Sequence, residues 1–266
     1  MVTVRKGADK IMIFESHAHY DDEAFDEDRE ELLGSLPEKG IDTVINVGAS
    51  LESCRKTIAL TERYSFLYGA VGVHPSETGE LDEKSFQWLK GCCGLRKVAA
   101  VGEIGLDYHW KQPAPDIQKM WFERQLEMAE ETGLPVIIHS RDAAKDTLDL
   151  MKNAHAEKIG GVIHCFSYTK EIAEEYLNMG FYFGIGGVIT FPNARKLKEA
   201  VACIPMDRIL LETDSPYLAP QPNRGKRNSS LNLPAIAGEI AALKGISPEE
   251  VYAVTHENAE KLFRLK

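Results

Sequence analysis

His17 and His19, spaced H-x-H, are the first residues along this 266-residue chain whose types and spacing suit chemistry. In extended backbone a period of two places both imidazoles on one face, where they can grip one cation. Four further candidates, Glu103, His139, His164 and Asp214, lie far apart in sequence, each at or just past the end of a short apolar run. A single histidine in such a place is more often structural, and a single acid more often caps a helix. Four of the 8 histidines gathered at such ends with two carboxylates are better explained as a metal site. Imidazole and carboxylate donors without thiolate suit Zn²⁺, Mn²⁺, Fe²⁺ or Co²⁺, and a carboxylate-rich half also accepts Mg²⁺. Six donors exceed the need of one tetrahedral ion, so two divalent metal ions are expected. A carboxylate shared by both would hold them about 3.5–4 Å apart. Glu103, central in order, is the candidate bridge.

The elements that must position these donors are legible as alternating patterns. Strands are expected at residues 11–14, 41–47, 67–73, 98–102, 135–139, 161–164, 181–185 and 209–211, from their β-branched and aromatic content and flanking Gly or Pro. Ala144, Thr147, Leu148 and Met151 form an i, i+3, i+4, i+7 face, and Ile172, Ala173, Tyr176 and Leu177 form another. Pro115 opens the helix between the fourth and fifth strands and Gly133 closes it. Eight strands alternating with helices predict an α/β fold, a closed (β/α)₈ TIM-type barrel in one domain over 1–266. All six donors then fall on the barrel's C-terminal face, where active sites of such barrels form. A doubly wound open sheet is the rival fold, but no Gly-rich phosphate fingerprint follows the first strand. A last helix over 248–263 is expected to pack outside the barrel.

The other candidates carry weaker signals. His74, in Gly72-Val73-His74-Pro75 after a strand, is a candidate substrate contact, and His109 could lie near substrate. His155 and His256 read as structural or solvated residues of helical surface, and Cys165 as core, alternating away from His164. The 5 cysteines show no CxxC spacing, which suits reduced thiols in a cytoplasmic protein. The opening apolar run is too short for a secretory signal, and no run approaches the ~18 residues of a membrane span. The net charge of −10 argues against a protein that coats nucleic acid by long-range attraction. It leaves room for a site gripping a few nucleotides around cations, which invert the local sign. A monomer is expected, for want of any interface signal.

Six ordered motifs make this sequence resemble the TatD family of metal-dependent deoxyribonucleases. They are Ser16-His17-Ala18-His19, Gly72-Val73-His74-Pro75, Gly102-Glu103-Ile104-Gly105-Leu106-Asp107-Tyr108, Leu134-Pro135-Val136-Ile137-Ile138-His139-Ser140-Arg141, His164-Cys165-Phe166-Ser167 and Glu212-Thr213-Asp214-Ser215-Pro216. The resemblance spans nearly the whole chain and implies a binuclear hydrolase of the amidohydrolase type. It assigns His17, His19 and Asp214 to one ion, His139 and His164 to the other, and Glu103 to the bridge. It also implies DNA as substrate, single strands or ends, with exonucleolytic trimming. Departures from the family pattern stand at Glu15-Ser16 (commonly Asp-Thr), Tyr168 (often Gly) and Ser229-Ser230 (usually Glu-Pro), and local hydrogen bonds should differ there.

The expected chemistry is phosphodiester hydrolysis, with Asp214 accepting the proton of an activated water. Arg224, Lys226 and Arg227, in a stretch without acids, are candidate contacts for the DNA backbone. The same six donors also serve hydrolysis of an amide, ester, lactone or aminoacyl-tRNA bond. A non-catalytic nucleic-acid or partner-binding protein is the third alternative.

Overall fold

The computed structural model describes residues 12–110 and 112–265. Its strands are β1 Ile13–Ala18, β2 Ile41–Val47, β3 Leu67–Val71, β4 Val98–Asp107, β5 Val136–Arg141, β6 Gly161–Ile163, β7 Tyr182–Ile185 and β8 Ile209–Leu211. Between and after them run α1 Arg29–Ser35, α2 Leu51–Arg63, α3 Glu83–Cys92, α4 Pro115–Thr132, α5 Ala144–Asn153, α6 Lys170–Asn178, α7 Arg195–Cys203, α8 Leu233–Lys244 and α9 Pro248–Phe263. The strands pair in sequence order, each parallel to the next. Two backbone bonds join the last strand's exit to the first: His19 N to Ser215 O at 2.7 Å and Asp214 N to His17 O at 2.9 Å. The eight strands thus form the expected barrel. No described helix is long and apolar enough to cross a membrane.

Alternation along each strand divides the core in two. One set of side chains fills the barrel interior, including Phe14, Ile45, Ala70, Ala100, Ile137, Val162, Tyr182 and Leu210. The other set, with Ile13, Val44, Ile138 and Phe183, faces the surrounding helices. Pro115 does open α4, and Gly133 ends it at φ 70°, its N–H donating to Ala129 O and Glu130 O.

Several strand bounds differ from expectation. The first was expected at 11–14, of which Ile11 lies outside the described residues; the strand runs to Ala18, so His17 sits inside it. The fourth continues past Gly102 to Asp107, which places Glu103 within β4, and β5 continues past His139 to Arg141. In each case polar residues after an apolar run read as a strand end. In a barrel the backbone ladder continues to the mouth while side chains turn polar. The last helix, α9, lies outside the ring of strands and closes one end of it. Ala259, Leu262 and Phe263 of α9 join the interior cluster, and Phe263 stacks on Phe14 with ring centroids 5.9 Å apart. That face covers the N-terminal end of the barrel, where interior side chains would otherwise meet water.

Candidate metal centre

Six side chains from five strands converge at the C-terminal mouth. His17 Nε2 and His19 Nε2 stand 3.1 Å apart. Asp214 Oδ1 lies 3.8 Å from the former and 3.4 Å from the latter. Glu103 turns Oε2 toward this pair, 3.5 Å from His17 Nε2, and Oε1 toward His139 Nδ1 at 2.7 Å. His164 Nε2 lies 3.7 Å from both Glu103 Oε1 and Asp214 Oδ1. Among five overlapping triads of described residues whose donor atoms lie within 4.8 Å of one another are His17–His19–Asp214 and Glu103–His139–His164. Glu103 thus turns Oε2 toward His17 and His19 and Oε1 toward His139 and His164.

Local structure explains why these atoms face inward. His19 Nδ1 donates to Val47 O at 2.7 Å, which leaves Nε2 bare for a cation. His139 Nε2 donates to Asp107 Oδ2 at 3.0 Å, which turns Nδ1 toward Glu103. His164 Nδ1 stands 3.0 Å from Glu212 Oε1, without hydrogen-bond alignment, while that oxygen accepts the Cys165 N–H at 2.7 Å. Glu212 fits because Gly184 has no side chain: a Cβ there would lie 1.9 Å from Glu212 Oε2. Asp107 and Glu212 are functional candidates that the sequence reading missed. The signal for Asp107 was present, since Glu103, Gly105 and Asp107 share one face of a strand.

Electrostatics fit a cation. Burial would raise the Glu103 carboxyl, but the surrounding His164, His139 and His17 hold it well below the usual range. Asp214 is likewise pushed up by burial and pulled lower overall by His164, His19 and His17. Burial disfavours charge on His164, yet Glu212, Glu103 and Asp214 outweigh it and raise its pKa to about 10. Four imidazoles and their carboxylates therefore form a basin that demands positive charge. Buried His17 Nδ1, His164 Nδ1 and Glu212 Oε2 lack hydrogen-bond partners, which is costly unless charge nearby compensates.

Five of the six, His19, Glu103, His139, His164 and Asp214, line a cavity of about 880 Å³ shared with His74, Asp107, Arg141, Cys165 and Tyr217, and His17 lies fully buried behind them. His74 Nδ1 accepts the Ser76 backbone N–H at 3.2 Å, so its Nε2 carries the proton and acts as a donor. Burial and neighbouring His139 lower its pKa to about 4, which keeps it neutral. His109 is not among the lining residues; it faces Asp142 at 3.9 Å. Cys165, expected in the core, instead takes φ 45° just past β6, is partly exposed and lines the cavity. The strand ends before it, so alternation does not apply. His256 is structural as expected but buried, against Asp42 at 3.1 Å.

The basic stretch lies apart from this cavity. Arg227 forms a two-pronged bond to Asp28 at 2.7 and 2.5 Å, and Arg224 lies over the Phe191 ring at 4.4 Å. Lys226 and Arg227 border a neighbouring open depression shared with Asp22, Glu23, Asp26 and Glu27. Each sequence departure has found its own bonds. Glu15 accepts from Thr213 N and Thr213 Oγ1 at 2.9 and 2.7 Å, although burial pushes its carboxyl up to about 8. Tyr168 OH pairs with Ser140 Oγ at 3.0 Å, and Ser230 Oγ with Tyr20 OH at 2.7 Å.

Comparison with known proteins agrees with this geometry. The family model for TatD-related DNases matches residues 14–264. The chain is 42% identical over 254 residues to the uncharacterised metal-dependent hydrolase YabD of Bacillus subtilis, covering 96% of this chain and 100% of that protein. It is 36% identical over 245 residues to the 3'-5' ssDNA/RNA exonuclease TatD of Cronobacter sakazakii, covering 90% and 93%. The solved structure of the Escherichia coli TatD homologue YjjV superposes with a TM-score of 0.90 at 30% identity, covering 96% and 98%. With a barrel of that shape, a donor cluster suited to divalent cations and a match across nearly its whole length, the chain belongs to the TatD-related DNase family of metal-dependent hydrolases.

Proposed function

We propose that this protein hydrolyses phosphodiester bonds of DNA, trimming single strands or ends, with two divalent ions held at the mouth of the barrel. The observation that carries the reading is the convergence of four bare or orientable imidazole nitrogens and two carboxylates, all but the buried His17 lining one open cavity. His17, His19 and Asp214 would hold one ion and His139 and His164 the other, with Glu103 between. Such ions, when bound, supply acidification of a water and neutralisation of phosphoryl charge. The preference for phosphorus over a carbonyl carbon is supported by the name of the Cronobacter relative.

The chain's own groups divide the remaining work. Asp214 Oδ1, 3.4 Å from His19 Nε2, lies where it can take the proton of the attacking water. His74, neutral and with Nε2–H free to donate, would hold a phosphoryl oxygen. Asp107 fixes the ring of His139 and so the direction of its Nδ1. Arg224, Lys226 and Arg227 would meet only a strand long enough to run past Tyr217 out of the cavity.

The test is cleavage of end-labelled single- and double-stranded DNA and RNA by metal-stripped protein resupplied with Mg²⁺, Mn²⁺, Co²⁺ or Zn²⁺. Stepwise shortening that needs metal is expected. Asp214→Asn should lower kcat about 10²–10⁴-fold at saturating metal. Folded, metal-loaded protein that cleaves none of these strands would overturn the reading and turn attention to carbonyl substrates.

A further inference from the structure

Two large aromatic side chains at the cavity rim remain unexplained by the hydrolytic machinery. Trp110 and Tyr217 both line the cavity, yet each is 53% exposed. Trp110 follows β4 and Tyr217 follows β8, strands that stand on opposite sides of an eight-stranded barrel. The two rings therefore flank the donor cluster from two directions. Tyr217 is held in place: its hydroxyl donates to Asp22 Oδ2 at 2.9 Å and its backbone N–H to Asp214 O at 2.8 Å. Trp110 rests edge-on against His109, with ring centroids 5.0 Å apart.

Charge does not supply an alternative grip. Arg141 is the only Lys or Arg among the described residues that line the cavity, while Asp21, Asp22 and Glu77 line it too. Arg227 is already paired with Asp28. A chain of net charge −10 gains little from long-range attraction to a polyanion. An aromatic ring needs no such charge to hold a nucleobase, because every base has a π-face.

We infer that Trp110 and Tyr217 are base-stacking platforms, one for the nucleoside on each side of the scissile phosphate, with Arg141 the cation nearest the chain's backbone. This rests on the phosphodiesterase reading and deepens it. A base can lie on such a ring only after leaving its own stack, which single strands and frayed ends allow and an intact duplex resists. The rings thus select the form of the substrate, and the donor cluster performs the reaction.

The test is steady-state kinetics of metal-saturated protein on a single-stranded oligonucleotide and on the same strand made abasic around the cleaved phosphate. Trp110→Ala and Tyr217→Ala should each raise KM about 10-fold on the normal strand, with a smaller change in kcat. Tyr217→Phe keeps the ring and should restore KM. On the abasic strand wild type should bind as weakly as the alanine variants, and the substitutions should add nothing. Thermal unfolding and metal content confirm that each variant is folded and loaded. Cleavage by wild type with KM unmoved in both alanine variants, or moved equally on normal and abasic strands, would overturn the stacking inference alone. Absence of any strand cleavage by wild type would overturn the function on which it rests.

Discussion

Gly105 shows how closely the donors are hemmed in by their neighbours. It pairs with His139 across β4 and β5, and a Cβ placed on it would come 1.9 Å from His139 O. Its φ of 146° is also one that side-chain-bearing residues rarely adopt. Gly105→Ala should therefore cost roughly 3 kcal/mol of stability through strain and overpacking. It should also displace Glu103 and His139 enough to lower hydrolysis about 100-fold. Thermal unfolding with metal analysis checks this, and a variant matching wild type in both would show that the strands can part without consequence. Asp107 and Glu212 work at the same scale, since each stands behind an imidazole whose other nitrogen faces the cluster.

At the scale of elements, α9 ties the far end of the barrel to its first strands. Its start is capped by Ser247, which accepts from Glu250 N at 3.2 Å, and Asn258 donates to Met206 O and Ile209 O at the entry to β8. His256 meets Asp42 at the start of β2. That hydrogen bond raises the His256 pKa, with Glu260 and Glu257 adding to it against the effect of burial. A histidine whose pKa is raised by folding contributes stability that is fully present below its unfolded value, about 6.5, and lost as pH climbs through the folded value. Asp42→Asn should lower Tm by about 2–4 °C at pH 6 and by much less at pH 9. Thermal melts at the two pH values decide it; an equal loss at both would mean that the pair acts through packing, not charge.

For the whole molecule, the barrel pools buried imidazoles and carboxylates that only its closed form brings together. His17 and His164 stack with centroids 3.5 Å apart, and the carboxylates of Glu103, Asp214 and Glu212 lie within 4 Å of their rings' nitrogens. A cation that binds this arrangement and not the unfolded chain stabilises the fold by mass action, about 2.7 kcal/mol at a hundredfold excess over Kd. Chelation should lower Tm by roughly 5–10 °C, and resupply of the ion should restore it. Calorimetry before and after chelation checks this, and an unmoved Tm would argue against a tightly held ion.

Donor types, their order and the barrel that presents them are legible in the residues alone. Those features are local: strands repeat every two residues, helices every 3.6, and each donor sits beside the apolar run that forms its strand. Where strands ended was less legible, because a polar residue at a barrel mouth looks like a loop residue until the neighbouring strand is in place. Which imidazole nitrogen faces inward is set by the assembled fold, since that follows from Val47 O behind His19 and Asp107 behind His139. The fold likewise places the basic stretch beyond the cavity, with Arg227 taken up by Asp28 at a separation of 199 residues. No local pattern encodes a pairing between such distant residues. It exists because closing the barrel sets the exit of β8 beside that of β1.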